Sequence, residues 1–93
     1  MAYTLTVIGG RWKASILHKL LKGKLRFKEL KEGLPEMSER MLSLQLRELE
    51  NDQIIKRTVY AEVPPRVEYE LTERGWTLEP ILHQMARWGE EHR

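Results

Sequence analysis

Cysteine is absent from the 93 residues, which removes disulfides, thiolate metal sites and thiol redox switching from the available chemistry. Aspartate occurs once, at Asp52, and the three histidines, His18, His83 and His92, have no partner at metal-ligand spacing. There is no HExxH helix, no glycine-rich phosphate loop and no nucleophile elbow. Catalysis is therefore not expected, and neither is a cofactor or a metal; His83, beside an apolar stripe, reads as a partly buried structural residue. No window approaches the ~18 apolar residues of a membrane span. Met1 to Gly10 has neither a basic leader nor a long apolar run, so the expected setting is cytoplasmic with no membrane partner.

Net charge is also scarce, at +2, but it is unevenly spread. From Arg11 to Arg57 there are 12 Lys and Arg against 7 acids, a balance of +5. From Thr58 to Arg93 there are 4 against 7, a balance of −3. The first half suits phosphate and the last part avoids it. A chain of this size makes one domain, residues 1–93, and buries only about 60 to 65% of its unfolded surface. Dimerisation would add to that burial.

What is present is periodicity. Trp12, Ile16, Leu17, Leu20 and Leu21 recur at helical spacing, with Gly23 placed to close a helix of about Arg11 to Lys22 in a left-handed conformation. Phe27, Leu30 and Leu34 define a shorter helix, about Phe27 to Glu32, stopped by Gly33 and Pro35. Lys24 to Arg26 between them suit a minor strand. Ser38 is an N-cap residue and Glu39 suits the positive end of the next helix dipole. Leu42, Leu46 and Leu49 fall in one narrow sector of a helix running to about Asn51, because each residue turns it by about 100°. Arg40, Ser43, Arg47 and Asn51 point the other way. Only Gly33 to Met37 separates this helix from the one before, which makes a helix-turn-helix.

After Asp52 the period becomes two. Val67, Tyr69 and Leu71 alternate with Arg66, Glu68 and Glu70 in a half-buried strand. Its partner is about Ile55 to Glu62, with Pro64-Pro65 at the ribbon tip because proline cannot donate to a ladder. The loop length leaves the register open, and with it the face that Val59 and Tyr60 occupy. Thr72 then caps a last helix carrying Leu78, Ile81, Leu82, Met85 and Trp88, bent or broken between Trp76 and Pro80.

The resulting architecture is mainly α with a small β-ribbon, in the order α-α-(β)-α-α-β-β-α: a winged helix-turn-helix of the α+β class. A helix of this kind in a major groove presents its N-terminal half to base edges. The expected DNA-binding residues are Ser38, Arg40, Ser43, Leu44 and Arg47 on the recognition helix, about 38–51. Leu44 lies on the polar side, where a thymine methyl would meet it. Arg57 and Arg66 on the wing, about 55–71, and Lys28 on the preceding helix are expected to meet phosphate or the minor groove. The expected homodimer seam is Tyr3, Leu5 and Ile8 with Leu78, Ile81, Leu82, Met85 and Trp88, the terminal segments being about 3–8 and 73–89.

Three runs carry a family resemblance: Val7-Ile8-Gly9-Gly10-Arg11-Trp12-Lys13, Leu46-Arg47-Glu48-Leu49-Glu50, and Arg57 to Tyr69 with its Val63-Pro64-Pro65-Arg66 wing. Together with Leu71-Thr72 and Trp88-Gly89, they resemble the HxlR-type transcriptional regulators of the broader MarR-like winged-helix group, from Tyr3 to Gly89. The resemblance implies a bacterial or archaeal dimeric repressor or activator of double-stranded DNA that pairs through its terminal helices. It puts Ser38 to Arg47 in the recognition helix and Arg66 in the wing. Two departures stand out. Many members have an oxidant-sensing cysteine just before the first helix, and this chain has none. The family glycine after the recognition helix is Gln53 here; left-handed backbone at a non-glycine residue costs roughly 1 to 2 kcal/mol, so either Asn51 adopts it or Gln53 is strained.

Two other uses of the chain remain open. The same fold can serve as a protein-interaction module that spends its polar face on another protein. A small apolar effector could also sit among Trp12, Tyr69, Trp76 and Trp88, the alternative being that these aromatics are core and seam.

Overall fold

Leu42, Leu46 and Leu49 are all buried, at 0–2% exposure, and the rest of the chain is wrapped around the helix that carries them. The computed structural model describes every residue from Met1 to Arg93. In chain order the elements are α1 (Ala2–Ile8), α2 (Lys13–Leu20), β1 (Leu25–Arg26), α3 (Phe27–Gly33), α4 (Glu39–Asn51), β2 (Ile55–Tyr60), β3 (Arg66–Leu71), α5 (Glu73–Trp76) and α6 (Glu79–His92). This is a winged helix-turn-helix, mainly helical with one small antiparallel sheet of strand order β1-β3-β2.

The helix boundaries follow local chemistry. The Ser38 hydroxyl accepts from the Met41 N–H at 3.1 Å, satisfying one of the donors that the first turn of α4 leaves free. The Thr72 hydroxyl does the same for Gly75 at the start of α5. The apolar start of the chain is a short helix, packed by Val7 and Ile8. In α2 the helix proper is shorter than its apolar repeat, and Gly23 follows it with φ at +128°, a value side chains rarely adopt. Pro80 sits in the first turn of α6, where its missing N–H breaks no bond, so the chain divides into two helices between Trp76 and Glu79.

The end of α4 resolves the missing glycine. Asn51 stays helical and Gln53 adopts φ +61°. The Gln53 N–H reaches the Glu50 carbonyl at 2.9 Å and the Ile54 N–H reaches the Leu49 carbonyl at 3.0 Å. That pair of bonds is a Schellman ending, and its apolar contact is Ile54, itself in the core beside Leu49. The Gln53 carbonyl also accepts from the Thr72 hydroxyl at 2.7 Å. These satisfied polar groups and a buried isoleucine hold Gln53 in an unfavourable backbone region. Close by, a Cβ on Gly75 would lie 2.2 Å from the Ile54 carbonyl oxygen, so only glycine lets α5 sit this near the start of β2.

The ribbon register is Ile55↔Leu71, Arg57↔Tyr69, Val59↔Val67 and Tyr60↔Arg66. Directly paired residues share a face, so Ile55, Arg57 and Val59 lie with Leu71, Tyr69 and Val67. Lys56, Thr58 and Tyr60 lie on the other face with Glu70, Glu68 and Arg66.

Sixteen buried apolar residues form a single core, drawn from every element between α1 and α6 except α5 and the two-residue β1. Two seam residues expected from the sequence belong to it. Ile8 and Leu82 are 5% and 2% exposed within one chain, because α1 and α6 both turn one side onto α2 and its neighbours. They are core residues with no surface to give a second copy.

Candidate nucleic-acid interface

The polar side of α4 is open. Arg40, Ser43, Leu44 and Arg47 are exposed, opposite the three buried leucines, and Ser38 is exposed at the cap. Ser38 already spends one lone pair on the cap bond; a hydroxyl keeps a second lone pair and its proton for an outside partner. Ser43 and Arg47 continue into a polar cleft of about 360 Å³ shared with Glu50 of α4, Arg57 of β2 and the edge of Tyr69. Arg57 gets there because its strand face is the one turned toward α4, as the register with Tyr69 requires. None of the ion pairs within the chain involves Arg40, Arg47, Arg57 or Lys28. Their donors are free for an external acceptor. Lys28 stands in the first turn of α3, on a groove that also meets Pro64 and Pro65 of the wing.

Arg66, unlike the other expected DNA-binding cations, is engaged within the chain. Its guanidinium lies over the Tyr60 ring, 4.2 Å from the centroid, and pairs with Glu62 at 3.3 Å and Glu68 at 3.8 Å. The wing arginine therefore binds its own wing, and it sits on the opposite strand face from Arg57.

Behind the open face lies a contact that the apolar pattern of α2 hides. Lys13 is the one buried charged residue, 8% exposed, and its ammonium is 2.8 Å from a Glu48 carboxylate oxygen on α4.

In the single chain the four aromatics do not gather around one cavity. Tyr69 is buried and Trp12 half-buried, whereas Trp76 and Trp88 are exposed on the far side of the last helices, Trp88 stacked on His92 at 4.5 Å. Of the four, only Tyr69 lines any of the larger clefts. His83 is exposed too, edge-on to His18 and 3.5 Å from Glu79. Of the expected seam residues, Tyr3 and Leu5 on α1 and Ile81, Met85 and Trp88 on α6 are exposed, with Leu78 half-buried at the base of α6.

A capped helix with a buried apolar back and an open cationic front, flanked by a β-ribbon, defines a winged helix-turn-helix protein. The chain belongs to the HxlR-like helix-turn-helix family, whose pattern matches residues 7–93. It is 55% identical over 91 residues to a Bacillus subtilis (strain 168) protein named uncharacterized HTH-type transcriptional regulator YybR, covering 98% of this chain and 73% of that one. Among solved structures, the redox regulator HypR in its oxidized form superposes with a TM-score of 0.96 at 54% identity, over 99% of this chain and 95% of that one. The reduced form of the transcriptional regulator YodB from B. subtilis gives 0.85 at 38% identity, over 99% and 90%. The chain is thus a transcriptional regulator of helix-turn-helix type, a class that works by binding DNA, and no enzyme family is indicated. No helix is long and apolar enough to cross a membrane.

Proposed function

We propose that this chain is a sequence-specific double-stranded DNA-binding regulator acting as a homodimer. In this reading α4 enters the major groove, with Arg40, Ser43, Leu44 and Arg47 toward base edges and Ser38 at the edge of the contact. Arg57 and Lys28 neutralise phosphates on either side, and the wing lies along the flank. The observation that carries the reading is the unpaired cationic row on α4 and Arg57, beside a fully buried leucine back. A cation already satisfied by an internal acid has little to offer phosphate; these have no internal acid.

The dimer in this reading pairs the exposed apolar residues of α1 and α6, which leaves both α4 helices outward and sets two half-sites about 34 Å apart. HypR is named a redox regulator; within these 93 residues there is no thiol to do that chemistry.

Selection of bound duplexes from a random pool at two salt concentrations tests the reading. One enriched motif with two related half-sites is expected. Affinity should also fall steeply with salt, each neutralised phosphate adding about 0.9 to the slope of log affinity against log salt. No enrichment, or a flat salt response, would instead favour a protein-interaction module.

A further inference from the structure

Resting on the DNA-binding reading above, we infer that the wing meets DNA through its apolar tip, Val63-Pro64-Pro65, seated in the minor groove of the flanking duplex. Arg66 is then a positioning residue that braces the tip and does not touch phosphate.

The charge distribution excludes the ordinary alternative. Beyond Arg57 the wing carries Glu62, Arg66, Glu68 and Glu70, one cation against three acids. The one cation is already committed, stacked on Tyr60 and bridging the Glu62 and Glu68 carboxylates. Its Nε is buried without a hydrogen-bond acceptor, so the group is packed into the ribbon and not held out from it. A phosphate approaching this region would meet two carboxylates before it met a free donor.

The tip, by contrast, is built for an apolar contact. Val63 is fully exposed, at 102%, and Pro64 and Pro65 beside it are exposed as well. Neither proline has an N–H to give a phosphate. Apolar side chains that enter the minor groove work as wedges between base steps, and basic side chains of the same proteins engage the groove beside them. Lys28 in α3 and Arg26 just before it, both exposed and outside any ion pair on the groove they share with Pro64 and Pro65, supply that charge. The wing and the start of α3 therefore divide the work: the ribbon supplies shape and the helix start supplies charge. Tyr60 and Arg66, facing each other across the ribbon, fix the direction in which the tip projects.

The test is the salt dependence of binding to the enriched duplex for the wild type, Val63→Ser, Arg66→Met, Arg66→Lys and Lys28→Ala, with circular dichroism to check folding. Val63→Ser should bind about five- to tenfold more weakly at every salt concentration, with an unchanged slope, since it removes apolar area only. Arg66→Met and Arg66→Lys should be weakened alike, by about tenfold, again with the wild-type slope, because lysine restores the charge but not the planar stack with its fork. Lys28→Ala should lower the slope, by about 0.9 per subunit. If Arg66→Met lowers the slope as Lys28→Ala does while Arg66→Lys binds as wild type, Arg66 is a phosphate contact and the inference is wrong. It is equally wrong if Val63→Ser binds as wild type. A wild type that enriches no duplex overturns the DNA-binding reading itself, and this one with it.

Discussion

The ammonium of Lys13, in the first turn of α2, sits 2.8 Å from a carboxylate oxygen of Glu48 on the back of α4. Its position is doubly unfavourable in isolation, since burial disfavours the charge and a cation at a helix N-terminus opposes the dipole. The pair therefore ties α2 to one rotational setting of the recognition helix, which three leucines alone leave freer. The two ends are unequal, with Lys13 11% exposed at its side chain and Glu48 44%. Removing Glu48 strands a mostly buried charge, whereas removing Lys13 leaves a carboxylate that water reaches readily. Glu48→Ala should lose roughly 2 to 3 kcal/mol in urea unfolding and Lys13→Met at most about 1 kcal/mol. A larger loss from Lys13→Met would refute the asymmetry.

Gln53 makes the opposite kind of prediction. Its φ of +61° is held by the Schellman bonds and by Thr72, none of which uses the glutamine side chain. Gln53→Gly should keep all of those bonds while relieving the left-handed strain, offset in part by glycine's entropy in the unfolded chain. A gain of about 0.5 to 1 kcal/mol is expected, read as a higher urea midpoint at unchanged m value. An unchanged or lower midpoint would mean that the strain is already relieved elsewhere.

These two sites mark where the sequence was readable and where it was not. The helix-turn-helix, the ribbon and the split before Pro80 are legible because each rests on periodicity or on a residue with one backbone preference, such as Ser38, Thr72 or Pro80. The register was illegible. Nothing in the strand alternation alone says that five residues separate Tyr60 from Arg66, yet that spacing puts Arg57 beside α4 and turns Arg66 back on Tyr60. Which apolar residues of the terminal helices are core is not legible from composition. Ile8 and Leu82 carry the same apolar signal as Leu5 and Met85, and only the packing of α1 and α6 on α2 separates the first pair from the second. Lys13 escaped for the same reason, since a long aliphatic stem can bury in an apolar stripe if its head finds an acid.

In the proposed reading, α4 and the neighbouring Arg57 of β2 divide base reading from phosphate contact. Arg40 is in the first turn of the helix, exposed and in no ion pair, and the proposed reading gives it a bidentate contact with guanine. Arg40→Ala should cost about 1 to 3 kcal/mol on the preferred duplex and little on unrelated DNA, so that selection returns a motif degenerate at one position per half-site. Arg57→Ala should weaken every duplex alike and lower the salt slope by about 0.9 per subunit. Equal losses on all sequences from both changes would deny Arg40 a base-reading role.

The last prediction separates seam from core on α6. Leu82 and Trp88 lie on the same helix, 2% and 65% exposed respectively in the single chain. Leu82→Ala opens a cavity among residues of α2 and α6, and should cost about 2 to 5 kcal/mol of stability. Trp88→Asp removes nothing from the core, so the single chain should fold, but a charge at an apolar seam is costly to bury without a partner. Sedimentation should then show wild type and Leu5→Ala as dimers of graded strength and Trp88→Asp as a monomer. Its affinity for a two-half-site duplex should drop toward that of one half-site, because the second contact is no longer intramolecular. A Trp88→Asp variant that stays dimeric would move the seam off α6 and with it the spacing of the recognition helices.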